Sequence, residues 1–95
     1  MFHVGGDVRP PLVRRHVEPL LPEEIRHGTP EPFILLELQI DACGEVQAVR
    51  VLRSNAPSLH PYVIPAIQKW TFQPATRRGV PVSVYYTLSV RYEVR

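Results

Sequence analysis

From Phe33 to Ile40 the chain alternates strictly. Ile34, Leu36, Leu38 and Ile40 share one face, and Phe33, Leu35, Glu37 and Gln39 share the other. A period of two with one wholly apolar side predicts a strand buried on that side, central in its sheet. The same alternation recurs over Val82 to Val94 as the longest element. Val82, Val84, Tyr86, Leu88, Val90, Tyr92 and Val94 face inward, and Ser83, Tyr85, Thr87, Ser89, Arg91 and Glu93 face water. Between the two runs, Asp41-Ala42-Cys43-Gly44 has Asp at the opening of a turn and Gly where positive φ is required. Val46 to Leu52 then returns as the second strand of a β-hairpin. Val46 and Val49 are out of phase, which predicts a bulge near Gln47 or Ala48 that turns Val49 and Val51 inward.

The remaining apolar pattern is helical. Leu59, Val63, Ala66, Ile67 and Trp70 recur at helical spacing, with Ser58 as the candidate N-cap and Pro61 in the first turn. Pro65 lies deeper, where a regular interior position costs roughly 3 kcal/mol, so this helix is expected to kink or begin late. A shorter helix is predicted to start at Pro22. Glu23 and Glu24 complement the dipole of its first turn, and Gly28 ends it. Thr29-Pro30-Glu31-Pro32 is a stiff spacer, and Trp70-Thr71-Phe72-Gln73-Pro74 stops the second helix and plants two aromatics in the core. Gly5-Gly6-Asp7-Val8-Arg9-Pro10-Pro11 reads as extended, with Leu12 to Val17 a candidate short edge strand. The division is therefore residues 1–17 as an extended leading segment or linker and residues 18–95 as the folded domain. The order helix, strand, strand, helix, strand gives an α+β fold, a three-stranded antiparallel sheet with two helices packed on one face. Such a sheet leaves two edges.

Composition narrows the function. With 95 residues and 44% hydrophobic content there is room for one core. A net charge of +2 argues against nucleic acid, whose phosphates call for a larger basic excess. Tyr85 and Arg91 would lie on an open sheet face, but the further aromatics of a base-stacking surface are absent from it. No apolar run reaches the length of a membrane span, and the first residues lack the regions of a signal peptide. The chain as given therefore reads as soluble. The single cysteine, Cys43, cannot form an internal disulfide, and it has no neighbouring His to make it a nucleophile. His3, His16, His27 and His60 are scattered without ligand spacing, so no metal site is expected. No paired carboxylates, Ser-His-Asp set or phosphate loop appears. The expectation is a binding module with no catalytic residue and no cofactor. Trp70 and Phe72 read as core residues, and Arg77-Arg78-Gly79 as a solvated basic turn.

From Pro19 to Val94 the chain resembles the C-terminal domain of TonB-type energy transducers, the TonB C-terminal-like fold. The resemblance rests on Pro19-Leu20-Leu21-Pro22-Glu23-Glu24, Asp41-Ala42-Cys43-Gly44-Glu45-Val46, Val49-Arg50-Val51-Leu52-Arg53-Ser54, Trp70-Thr71-Phe72-Gln73-Pro74-Ala75 and Gly79-Val80-Pro81-Val82. Within these, Pro19, Pro22, Gly44, Trp70, Phe72, Pro74 and Gly79 are the structural motif positions. Leu21 stands where the family usually has tyrosine. Pro30 and Pro32 interrupt the region before the first strand, and Pro61 and Pro65 crowd the second helix.

The resemblance implies a periplasmic module that captures the TonB box peptide of an outer-membrane TonB-dependent receptor by strand addition and transmits force for transport. The peptide would lie along the last strand, at Ser83, Val84, Tyr85, Tyr86, Thr87, Leu88, Ser89 and Arg91. Glu18, where the family often has a glutamine, would contact the peptide region. The ExbB/ExbD motor would be engaged only through a membrane helix that this sequence does not contain, so the chain is either an excised domain or a stand-alone relative. The alternative is a self-associating periplasmic scaffold that uses the same edge to form a homodimer.

Overall fold

A computed structural model describes residues 1–21 and 31–92. Its centre is β4 (Phe33–Ile40), where Ile34, Leu36, Leu38 and Ile40 have no exposed surface. The period-two pattern places all four on one side of the sheet, and full burial of each such side chain contributes about 1.5–3 kcal/mol. β5 (Val46–Ser54) returns antiparallel to β4 through the Asp41–Gly44 turn. Gln39 pairs with Ala48 and Ile40 with Val46, so Gln47 is the extra residue of the expected bulge. A second irregularity, at Leu52, separates the Leu35–Arg53 and Leu36–Val51 pairs and leaves Leu52 exposed. Val49 and Val51 pack against the core as the sequence pattern requires.

The turn itself is held by Asp41, whose Oδ1 accepts the N–H groups of Cys43 and Glu45, each at 2.9 Å. Those hydrogen bonds favour the ionised carboxyl and, led by the bond from Glu45, lower its pKa against a smaller opposing effect of burial. Gly44 has φ +86°, and a Cβ there would stand 1.8 Å from the Phe72 carbonyl oxygen. The Phe72 N–H donates to the Gly44 carbonyl at 2.8 Å. The turn thus lies against the backbone of the buried Phe72, and only glycine satisfies both the dihedral and the close approach.

Beyond β5 a 3₁₀ turn at Pro57–Leu59 leads into α1 (His60–Gln68). Ser58 falls inside that turn and does not cap the helix. Leu59 holds the N-cap position without a side-chain cap bond. The late start leaves Pro61 in the first turn, and Pro65 lies within the helix on its exposed side, where its ring meets solvent. Leu59, Val63, Ala66 and Ile67 form the buried stripe, and α1 packs on the apolar face of the sheet. Trp70, expected to close the stripe, lies past the helix end and is half-buried.

The helix predicted from Pro22 to Gly28 lies outside the described residues. β9 (Val84–Arg91) pairs antiparallel with β4 along its whole length. It is shorter than the Val82-to-Val94 run. At its start the Val82 N–H donates to the Ala75 carbonyl at 2.9 Å, which holds Val82 in the preceding loop. Val94 lies outside the described residues.

Among the described residues the sheet has four strands, not the three expected. Its order is β1-β9-β4-β5, because β1 (Phe2–His3) joins β9 in parallel. The rest of the leading segment also pairs. β2 (Val8–Arg9) and β3 (Leu12–Arg15) lie antiparallel to β7 (Thr76–Arg77) and β6 (Thr71–Gln73), respectively. β7 turns back into β8 (Val80–Pro81). Arg78 and Gly79 both have positive φ, +53° and +81°, which suits a tight hairpin turn. The Trp70 Nε1–H donates to the Val17 carbonyl at 3.0 Å and ties the end of the leading segment to the body. Pro19 and Pro74 are half-buried, Pro74 between β6 and β7.

Candidate functional site

Backbone groups along a strand point alternately to the two sides, so the two edges of β9 belong to different residues. The Tyr92 N–H donates to the Pro32 carbonyl at 3.1 Å, on the β4 side. The Ser83 carbonyl, facing the opposite way, accepts the Phe2 N–H at 2.9 Å. Even-numbered residues of β9 therefore bond β4, and odd-numbered residues present their N–H and C=O groups to the outer edge. Phe2 and His3 cover that edge beside Val84 and Tyr85. From there to Arg91 the outward groups of Thr87, Ser89 and Arg91 have no strand partner among the described residues.

The side chains divide in the perpendicular direction. Val84 is buried, and Tyr86, Leu88 and Val90 are half-buried against the core. Tyr85, Thr87, Ser89 and Arg91 line the open face, together with Glu37, Gln39, Ala48 and Arg50 of the neighbouring strands. Arg50 pairs with Glu37 at 3.2 Å. At the far end Phe33, Leu35, Arg53, Ser89 and Arg91 border a shallow depression, with the Arg91 guanidinium 6.0 Å from the centre of the Phe33 ring.

Of the positions marked from the sequence, the structure gathers Ser83 through Ser89 and Arg91 on one strand and its approach. The main-chain edge itself belongs only to the odd-numbered members. Val84, Tyr86 and Leu88 turn their backbone groups to β4 and their side chains to the core. Glu18 lies apart on an exposed corner, 3.5 Å from the His16 Nε2. It is near enough to Tyr92 to influence it. Burial pushes the Tyr92 hydroxyl up to about 12, and the Glu18 carboxylate adds in the same direction.

Sequence reasoning missed the leading residues of this edge. The Phe2 ring lies 5.1 Å from the Arg77 guanidinium carbon, and the His3 ring stacks on Tyr85 at 5.0 Å. Arg77 and Arg78 are not simply solvated. Both reach Asp7 Oδ2, at 3.0 Å and 3.6 Å. Gly5-Gly6-Asp7, flanked by Val4 and Val8, is the one local signal of the reversal that brings Phe2 back to the sheet.

The family model described as Gram-negative bacterial TonB protein C-terminal matches residues 17–94, which take in β4, β5 and β9 of the sheet, the helix and the outer edge of β9. The chain belongs to the TonB C-terminal family. A curated relative, Protein TonB of Vibrio cholerae serotype O1, is 28% identical over 87 residues, which are 90% of this chain and 36% of the relative. The chain thus spans about a third of that protein's length. The family match includes the Gly44 turn, the Trp70–Phe72 segment and β9. The pairing of Phe2 and His3 with the edge lies upstream of the matched residues. No helix among the described residues is long and apolar enough to cross a membrane.

Proposed function

We propose that this chain is the periplasmic capture module of a TonB-type energy transducer. The β9 edge takes the extended TonB box peptide of an outer-membrane receptor as an added strand and carries force through it. The observation that carries this reading is the row of outward N–H and C=O groups at Thr87, Ser89 and Arg91, on a strand whose other side is fully paired with β4. Main-chain pairing makes little demand on peptide sequence, and the side chains of Tyr85, Thr87, Ser89 and Arg91 would supply selectivity. Family membership supports the same reading.

The architecture suits a pulling load. A strand hydrogen-bonded along its length resists shear through several bonds at once, each worth about 0.5–1.5 kcal/mol net. β9 would pass the load to β4 over eight residues, and β4 would pass it to β5. Binding alone accounts for the role, without a catalytic group or a cofactor. Coupling to an ExbB/ExbD motor belongs, in this reading, to a membrane helix elsewhere in the full transducer. Glu18, where the family often has a glutamine, would in this reading contact the peptide region.

The test is an amide-shift titration of the isotope-labelled domain with a TonB box peptide and a scrambled control, together with its mass at two concentrations. Saturable shifts along Ser83 to Arg91 and at the Glu18 corner are expected from the TonB box peptide alone. Absence of shifts, with a dimer that persists on dilution, would overturn capture and assign the edge to self-association.

A further inference from the structure

We propose that residues Met1–Val4 are a built-in competitor for the β9 edge, which an incoming strand must displace in order to pair beyond Thr87. The proposal rests on the strand-capture reading above and adds its regulation. Its basis is that one part of the edge is already occupied in the way a captured strand would occupy it. Phe2 pairs with Val84 and His3 with Tyr85, in parallel, and the Phe2 N–H donates to the Ser83 carbonyl at 2.9 Å.

The occupant is specific but shallow. Its two side chains are placed by the guanidinium of Arg77 and the ring of Tyr85, with the His3 and Tyr85 planes 26° apart. Yet Met1, Phe2 and Val4 remain 59%, 37% and 37% exposed, and the paired stretch is two residues long. A strand this short is marginal by itself. What returns it to the edge is tethering. The Gly5 and Val8 N–H groups donate to each other's carbonyls at 3.1 Å and 3.0 Å, and Asp7 is fixed by Arg77 and Arg78. The turn and β2 can therefore stay in place while residues 1–4 lift away, and the short leash gives them a high effective concentration at the edge.

The open groups of Thr87, Ser89 and Arg91 act as the foothold for the partner. Extension toward Tyr85 then exchanges its main-chain bonds for those of Phe2. Displacement also frees the Tyr85 ring, which becomes available to a planar side chain of the incoming peptide. The apparent affinity falls by the fraction of time the edge is free. An edge free about a tenth of the time binds about tenfold more weakly than one without the competitor.

The test compares the full chain with its Phe2→Pro, His3→Gly variant, which removes the donor to Ser83 and the ring stacked on Tyr85. Both positions are exposed, so the core is untouched. A ten-residue TonB box peptide is titrated against each protein, and amide exchange at Tyr85 is followed without peptide. The proposal expects about tenfold tighter peptide binding by the variant and faster exchange at Tyr85. Equal affinity for the two proteins would overturn the competitor while leaving strand capture intact. No binding by either protein would overturn the capture reading, and the competitor with it.

Discussion

β4 and β9 are the same length, carry the same alternation and pair with each other residue for residue, yet they stand in different environments. β4 has a strand on each side and four inward side chains with no exposure. β9 has one full neighbour and one two-residue neighbour, and only Val84 of its inward residues is completely buried. Alternation specifies which face of a strand meets the core. It does not specify how many of the strand's edges are satisfied. In this domain that second property separates a strand whose two edges are both used from one that still has main-chain groups to offer, because an edge that is already paired has none.

The sharpest way to break the comparison is to empty the core beneath each strand. Leu38→Ala should cost about 2–5 kcal/mol, whereas Leu88→Ala, at a half-buried site, should cost less than half as much. Denaturant melts of the two variants measure the difference, and equal losses would mean that the two strands share one environment. A smaller effect separates the two edges of β9 itself. Leu88→Pro removes a donor that faces β4 and should cost about 1–3 kcal/mol beyond the loss of the Leu88 side chain. Thr87→Pro removes one that faces outward and should leave stability nearly unchanged while weakening the peptide titration. If Thr87→Pro unfolds the domain, or leaves peptide binding as it was, the assignment of odd-numbered residues to the outer edge fails.

The smallest effect concerns the turn that delivers β5 to β4. Asp41 has a lowered pKa in the fold, so its contribution is present above the unfolded carboxyl value of about 3.8 and is lost as pH falls through the lower folded value. Asp41→Asn should reduce stability at neutral pH by less than about 1 kcal/mol, because water screens this exposed turn. It should also flatten the acid limb of the stability profile, with the two proteins converging once the pH has fallen through the lowered folded value. Urea midpoints collected from neutral to acid pH test this, and parallel profiles would remove Asp41 from the turn's stability.

Much of the fold was legible because it depends on local chemistry. The alternation of Phe33 to Ile40, the Asp41–Gly44 turn, the bulge at Gln47 and the buried stripe of α1 all follow from side-chain period and turn stereochemistry, which neighbours in sequence determine. The edge was legible only in part. The sequence supplied the residues of β9 and their two faces, but the occupant of its first two positions lies some eighty residues away in the chain. The same holds for Arg77 and Arg78, which read as a solvated turn until Asp7 was brought beside them.

The sequence by itself determined the α+β layer, the inward and outward faces of β4 and β9, and the need for glycine at position 44. These are consequences of period, of φ preference and of apolar surface seeking burial. Tertiary structure alone decided that the leading segment folds back and that Trp70 secures it through the Val17 carbonyl. Among the described residues it also left the unpaired part of the β9 edge at Thr87 to Arg91 instead of along the whole strand. Backbone hydrogen bonds carry no side-chain signature, so which strand satisfies an edge depends on where the chain returns in space.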